Sequence, residues 1–366
     1  MPSRRVSAGA SPADDLPAVF PSIDLPIAPP YAPMEAAAAP ALPQGAAWAY
    51  EPKWDGFRCL AFKNDGTVLL QSKAGQALTR YFPEVASALE RLPRTRFVLD
   101  GELVVVREGR LAFDQLLQRI HPAASRVRRL AVESPAVFVA FDLLVDPRGR
   151  LLAGMPMRDR RARLEAFFDG LSTPDVRMSV WTSSLPVATR WMDQLGGAGL
   201  DGVVAKAQEL PYRSGTRDGM VKVKRLRSAD CIVGGYRYQQ SGAGIGSLLL
   251  GLMNAQGAID HVGFTASFTA DERRALAQVV EPLRGGTGFT GRAPGGPSRW
   301  SAGRTTDWVP LHPRLVCEVR YDHYADGRFR HGTKFLRWRP DKMPEQCTFA
   351  QVEPRRDTTL LRTLGL

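Results

Sequence analysis

From Ala47 onward the chain is written in short apolar runs bounded by turn residues, with a handful of longer stretches at helical spacing. Cys59-Leu60-Ala61-Phe62 and Val68-Leu69-Leu70 flank Asn64-Asp65-Gly66, which predicts a hairpin. Phe97-Val98-Leu99 and Leu103-Val104-Val105-Val106 predict two further strands, with a turn at Glu108-Gly109. Residues 137–144 and 202–205 read as buried strands, and residues 82–91, 113–120, 157–168 and 187–194 as helices. Strands do not alternate strictly with helices, so the class is α+β. After Arg227 the pattern is mostly strand (231–236, 246–251, 315–321), interrupted by one helix at 270–283. That favours a small β-barrel, with an OB-fold leading.

The N-terminal stretch breaks this pattern. Residues 1 to about 47 hold 10 of the 28 prolines and the run Ala36 to Ala39, so much of it is expected to be extended. The chain thus divides into a tail over 1–28, a first domain over 29–226 and a second over 227–366, with a mobile Gly-, Pro- and Arg-rich loop at 284–307.

Charge changes the picture of the partner. The formal net charge is +12, distributed as +7 from Arg225 onward and +5 before it. A basic surface over both regions favours a polyanion. Arg292, Arg299 and Arg304 in the long loop either contact phosphates or keep the loop soluble. Cys59, Cys231, Cys317 and Cys347 are far apart with no Cys-x-x-Cys, which argues against zinc and for a reducing compartment. No run approaches 18 apolar residues, so no membrane span is expected, and the N-terminus lacks the apolar core of a secretory signal.

Tyr50-Glu51-Pro52-Lys53-Trp54-Asp55-Gly56-Phe57-Arg58 carries the candidate chemistry. A lysine ammonium titrates at about 10.4 in free form. Neighbouring cations and partial burial lower that value, and the neutral amine can attack phosphorus. Alone, the stretch reads equally well as a solvated surface turn.

Its companions make the difference. Lys53-Trp54-Asp55-Gly56, Ser72-Lys73-Ala74-Gly75, Leu99-Asp100-Gly101-Glu102, Ala140-Phe141-Asp142-Leu143-Leu144, Asp201-Gly202-Val203-Val204-Ala205-Lys206, Met220-Val221-Lys222-Val223-Lys224 and Arg339-Pro340-Asp341-Lys342 occur in one order. Together they resemble the motif set of ATP-dependent DNA ligases. Gln118-Arg119-Ile120-His121-Pro122 and Phe335-Leu336-Arg337-Trp338 bring the resemblance closer to the stand-alone bacterial ligases of the C type. Those are relatives of the ligase module in non-homologous end-joining ligase D.

The resemblance implies a nucleotidyltransferase (adenylation) domain followed by a C-terminal OB-fold, joined near Arg225 to Ser228. It implies Lys53 as the nucleophile toward ATP, Glu51 as the acid that reads adenine and Phe141 as its stacking partner. Arg58 and Lys73 would hold the ribose and later the 5′-phosphate, and Lys222 and Lys224 the α-phosphate. Glu102 and Asp201 would carry magnesium, or manganese, between them. Arg339, Asp341 and Lys342 would orient the leaving pyrophosphate. The implied partner is nicked duplex DNA, beside a repair polymerase or an end-binding protein, with the chain acting as a monomer in the bacterial cytosol.

Two departures stand out. Lys73 replaces the usual arginine and loses its bidentate fork, and Asp201 is one methylene shorter than the usual glutamate. An RNA ligase or a capping guanylyltransferase shares most of these motifs, and a non-catalytic DNA-binding or end-bridging protein would share the charge. Covalent AMP on Lys53 separates the last of these from the enzymes.

Overall fold

The structure is a computed structural model that describes residues 20–171, 173–194, 198–239, 244–295, 307–325, 327–353 and 359–366. It divides into two compact units, Met1–Val223 with Asp357–Leu366, and Lys224–Arg356.

The first unit is built on two sheets. The larger runs in the order Thr67–Ser72, Phe57–Asn64, Arg96–Arg107, Ala136–Val145, Val176–Met178, and the smaller in the order Ala37–Ala38, Met220–Lys224, Gly202–Ala207, Trp48–Lys53. The expected hairpin forms, with Asn64 opposite Thr67 and Asp65 in the left-handed region at φ 50°, which Asp tolerates. The two strands expected at 97–99 and 103–106 are one strand, Arg96–Arg107, running straight through Asp100-Gly101-Glu102. Gly101 permits this. A Cβ there would stand 2.6 Å from the Phe138 ring and from the Val139 carbonyl, so only glycine lets these strands close up.

Strand Phe57–Asn64 is buried on both faces because its side chains alternate between two cores. Cys59 and Ala61 face a cluster with Val85, Leu89, Leu164 and Phe167 from the helices Pro83–Glu90 and Met157–Phe168. Leu60 and Phe62 face a cluster with Ile23, Met34 and Tyr212, onto which Phe20, Leu25 and Ile27 also pack. Burying one such side chain is worth about 1.5–3 kcal/mol. Residues 20–28 are therefore not a free tail, and residues 1–19 lie outside the described residues. Composition hid this because the anchors are sparse among prolines.

The second unit centres on Arg227–Tyr238, flanked by Ile245–Met253 and Ile259–Thr265 on one side and by Val316–Tyr321 and Lys334–Trp338 on the other. The ends of this sheet meet: Thr265 and Thr333 form a parallel bridge, and the Thr265 hydroxyl donates to the Thr333 carbonyl at 3.0 Å. Five strands thus close into an OB-fold barrel, and the register shift between Val233 and Gly235 supplies the bend that closure needs. Helix Ala270–Val280 begins with a Thr269–Glu272 capping box.

Two expected boundaries change. The loop over 284–307 is packed in its described part, where Phe289 is buried and lies 5.4 Å from the Trp308 ring. Residues 296–306, with Arg299 and Arg304, lie outside the described residues. The second unit also stops short of residue 366, because Leu361 and Leu364 are buried against Leu200 and Val203 of the first. Helix Ala124–Glu133 was not expected, since its three arginines mask the buried Val127 and Leu130. All four cysteines are free and buried. No helix of the described residues is long and apolar enough to cross a membrane.

Candidate active site

Lys53 ends strand Trp48–Lys53, and its backbone is held still by Trp54 and Gly56. Trp54 is buried and its indole N–H donates to the Ser179 hydroxyl at 3.0 Å. Gly56 lies so close to strand Arg96–Arg107 that a Cβ would be 2.0 Å from the Leu103 carbonyl oxygen. The Lys-Trp-Asp-Gly spacing is thus a steric requirement as well as a chemical one. Antiparallel pairing puts Lys53 opposite Gly202, so Asp201 is its diagonal neighbour and the Asp201 N–H donates to the Lys53 carbonyl. The side chains meet too, with Nζ 2.7 Å from the Asp201 carboxylate.

Glu51, two residues earlier, points to the same face. Its carboxylate accepts from Lys206 Nζ at 2.9 Å, and both side chains are only 5% exposed. Lys206 also donates to the Phe141 carbonyl at 3.0 Å. The Phe141 ring has the Lys206 ammonium 4.7 Å and the Arg58 guanidinium 4.6 Å from its centroid. Arg58 is held in turn by a bidentate pair with buried Asp100, 2.6 Å on each arm, and Tyr212 donates to the same carboxylate at 2.7 Å.

These groups open onto one cleft in the first unit. Its walls include Glu51, Lys53, Arg58, Lys73, Glu102, Phe141, Lys206 and Lys222. Glu102 is half-buried, and burial pushes its carboxyl up to about 7, against the opposing pull of Arg58 and Lys53. Lys73 sits at an exposed position, its ammonium 3.0 Å from Glu35.

The fold and this cleft can be set beside known proteins. The family model described as "ATP dependent DNA ligase domain" matches residues 32–224, and the one described as "ATP dependent DNA ligase C terminal region" matches residues 241–342. The chain belongs to the ATP-dependent DNA ligases. It is 47% identical over 342 residues to DNA ligase C1 of Mycolicibacterium smegmatis, covering 90% of this chain and 96% of that protein. Over 309 residues it is 30% identical to the multifunctional non-homologous end joining DNA repair protein LigD of Mycobacterium tuberculosis, covering 82% of this chain but 37% of that longer protein. A solved structure from a study of Lig E DNA ligases shares the fold, with a TM-score of 0.54 and 19% identity over 84% of this chain and 99% of that one. The chain is accordingly an ATP-dependent DNA ligase of the C type, and the RNA-ligase, capping and non-catalytic readings give way to it.

Not every expected site residue of the ligase lines the cleft. Lys224 does not; its ammonium lies 2.7 Å from Asp322 in the second unit, and with His331 holds that carboxyl down to about 2. Asp201 is buried behind Lys53 rather than on the wall. Arg339, Asp341 and Lys342 belong to the second unit, where Arg339 reaches Asp230 at 2.8 Å and Asp341 at 2.7 Å, and Lys342 reaches Asp230 at 2.8 Å.

Four residues at these sites escaped the sequence reading. Lys206 and Asp100 stood inside recognised motifs without a role, and their burial is what gives them one. Glu35 and Asp230 had no signal in the sequence, because both owe their place to contacts with residues far along the chain.

Proposed function

We propose that this ligase seals 5′-phosphate, 3′-hydroxyl nicks in duplex DNA in three steps, with Lys53 as the covalent carrier of AMP. The observation that supports this most directly is an ammonium 2.7 Å from Asp201, on the wall of a cleft that Glu51, Phe141, Glu102 and Lys222 also line. The Lys53 ammonium first gives up a proton to water. The free amine Nζ then attacks the α-phosphorus of ATP, forming the N–P bond as the bond to pyrophosphate breaks, while Asp201 holds the amine in line and takes the second proton from nitrogen on its way to water. Such transfers depend chiefly on positioning and charge neutralisation. AMP then passes to the DNA 5′-phosphate, and the 3′-hydroxyl displaces it.

Phe141 stacks on adenine and Glu51 reads its edge, both fixed by Lys206. Lys222 neutralises the α-phosphate. Lys73 and Arg58 serve the ribose and the nick phosphate, and Arg339, Asp341 and Lys342 the leaving pyrophosphate. Lys224 receives no role while its ammonium is engaged by Asp322.

Among the described residues no group of three or more His, Cys, Asp or Glu could hold a metal unaided. Magnesium needs less than that, since it takes one or two carboxylates and completes its shell with substrate phosphates and water. Glu102, on the cleft wall, fits that need, and Asp201 would join it only where its carboxylate is released from Lys53. A bound cation would offset charge on the phosphates. Because Glu102 is pushed up to about 7, its carboxylate form is lost as pH falls through that value. Manganese affinity in the absence of nucleotide is therefore expected to fall about tenfold from pH 8 to pH 6. Spin-resonance titration checks this, and the same pH slope in Glu102→Gln would contradict it.

The expected partner is nicked duplex DNA, with a repair polymerase or end-binding factor alongside, one copy of the chain per nick, in a bacterial cytosol. The test of the central step is intact-mass measurement after ATP and magnesium. One added AMP on Lys53, followed by sealing of a labelled nick, supports the reading. Adduct without sealing would overturn its DNA half.

A further inference from the structure

Asp230 belongs to none of the recognised motifs, yet the two cations of Arg339-Pro340-Asp341-Lys342 converge on it. Its Oδ1 accepts from Arg339 Nη1 at 2.8 Å, and its Oδ2 lies 2.8 Å from Lys342 Nζ. The residue is buried in strand Arg227–Tyr238, where it pairs with Glu318 of the neighbouring strand. The Gln351 side chain clamps its backbone on both sides. The Gln351 amide oxygen accepts from the Asp230 N–H at 3.0 Å, and the amide nitrogen donates to the Asp230 carbonyl at 3.2 Å. The cations, by contrast, follow the end of strand Lys334–Trp338, in a turn where the Lys342 N–H donates to the Arg339 carbonyl at 3.1 Å. Asp341 takes the other edge of the Arg339 guanidinium at 2.7 Å, but it is 61% exposed and moves with the turn it belongs to. Asp230 is the anchored end of this cluster.

We infer that Asp230 is a positioning residue for lysine adenylylation: its two oxygens hold Arg339 and Lys342 side by side so that both meet the pyrophosphate as it leaves. This rests on the proposed reading that these cations serve that group. Two like charges so close repel each other, and both side chains are long, so without a bridge they would spread over many rotamers. A carboxylate with one oxygen for each offsets the repulsion and fixes the spacing. A lysine ammonium has three donors, so the contact with Asp230 leaves others for phosphate. Donors already in place need no reorganisation as charge grows on the leaving oxygen, which is where such groups lower a barrier. The carboxylate also offsets one of the two positive charges. If that neutralisation dominated, removing Asp230 would speed the step; ordering predicts that it slows it.

The test uses the whole chain and follows three reactions: formation of the AMP adduct from ATP and magnesium, discharge of the adduct by inorganic pyrophosphate, and sealing of a nick whose 5′-phosphate already carries AMP. Pyrophosphate takes part in the first two only, and these share one transition state. Asp230→Asn keeps the shape but turns an amide N–H toward one of the cations. Adduct formation and discharge should each slow about tenfold, the effect of losing a charge-assisted hydrogen bond, while sealing of the adenylylated nick stays at the wild-type rate. Asp230→Ala should behave alike, and Asp230→Glu, which retains the charge, should recover part of the loss. Unchanged sealing shows that each variant is folded. Arg339→Ala checks the reading underneath: if it forms the adduct at the wild-type rate, the pyrophosphate role itself fails. The inference about Asp230 alone is overturned if Arg339→Ala is slow while Asp230→Asn matches or exceeds the wild type in both pyrophosphate reactions. It is overturned equally if Asp230→Asn and Asp230→Ala lose all three reactions together, since that is the mark of a merely structural residue.

Discussion

Lys53→Ala is expected to abolish the AMP adduct and to lower nick sealing by at least about a thousandfold, as removal of a covalent nucleophile does. Two other lysines of the cleft wall are already engaged. Lys206 is tied to Glu51 and to the Phe141 carbonyl, and Lys73 is paired with Glu35. The loss should be chemical rather than structural. The Lys53 backbone is fixed by pairing with Gly202 and by the Trp54 and Gly56 contacts, none of which needs the ammonium. Removing the ammonium also deprives the buried Asp201 carboxylate of that partner, so the melting temperature should fall somewhat while the protein stays folded and salt-dependent DNA binding persists. A clean AMP adduct on the Lys53→Ala protein, mapped by peptide mass, would move the nucleophile elsewhere and dismantle the proposal.

Glu51→Ala should have the largest effect on stability. Glu51 and Lys206 are each 5% exposed and 2.9 Å apart on neighbouring strands. Removing one partner of a buried pair leaves an uncompensated charge and costs about 3–5 kcal/mol. In a chain of this size that is a fall in melting temperature on the order of 10 °C. The Phe141 carbonyl is a remaining acceptor for Lys206 at 3.0 Å, which places the expectation toward the lower end of the range. Glu51→Leu combined with Lys206→Met should recover most of the stability, because an apolar pair of similar volume replaces the ions. It should not recover adenylylation, since on the proposed reading Glu51 also meets the adenine. Calorimetry on both variants decides the matter. A single variant that melts with the wild type would mean that the pair carries no such cost.

Much of this was legible from residue order. The lysine motif, its companion motifs and the α+β then barrel progression depend on local spacing, and the chain keeps them. The hairpin at Asp65-Gly66 and the helix Met157–Phe168 were readable because turn residues and apolar periodicity act within a few positions. Helix Ala124–Glu133 was not, because its buried stripe is only Val127 and Leu130 amid charge. Strand Arg96–Arg107 reads as two in the sequence because polar residues interrupt its apolar run. Asp100, Gly101 and Glu102 look like a turn until one sees that Gly101 is packed under Phe138 and Asp100 is neutralised by Arg58.

Residue types and their spacing pointed to the family and the order of the two domains and singled out Lys53 as the proposed nucleophile, since motif order and short-range periodicity are written along the chain. Folding alone assigned Lys206 to Glu51, Asp201 to Lys53, Lys224 to Asp322 and Glu35 to Lys73. The reason is physical. The strength of an ion pair depends on distance and on exclusion of water, and both arise only when strands remote in the chain are brought side by side.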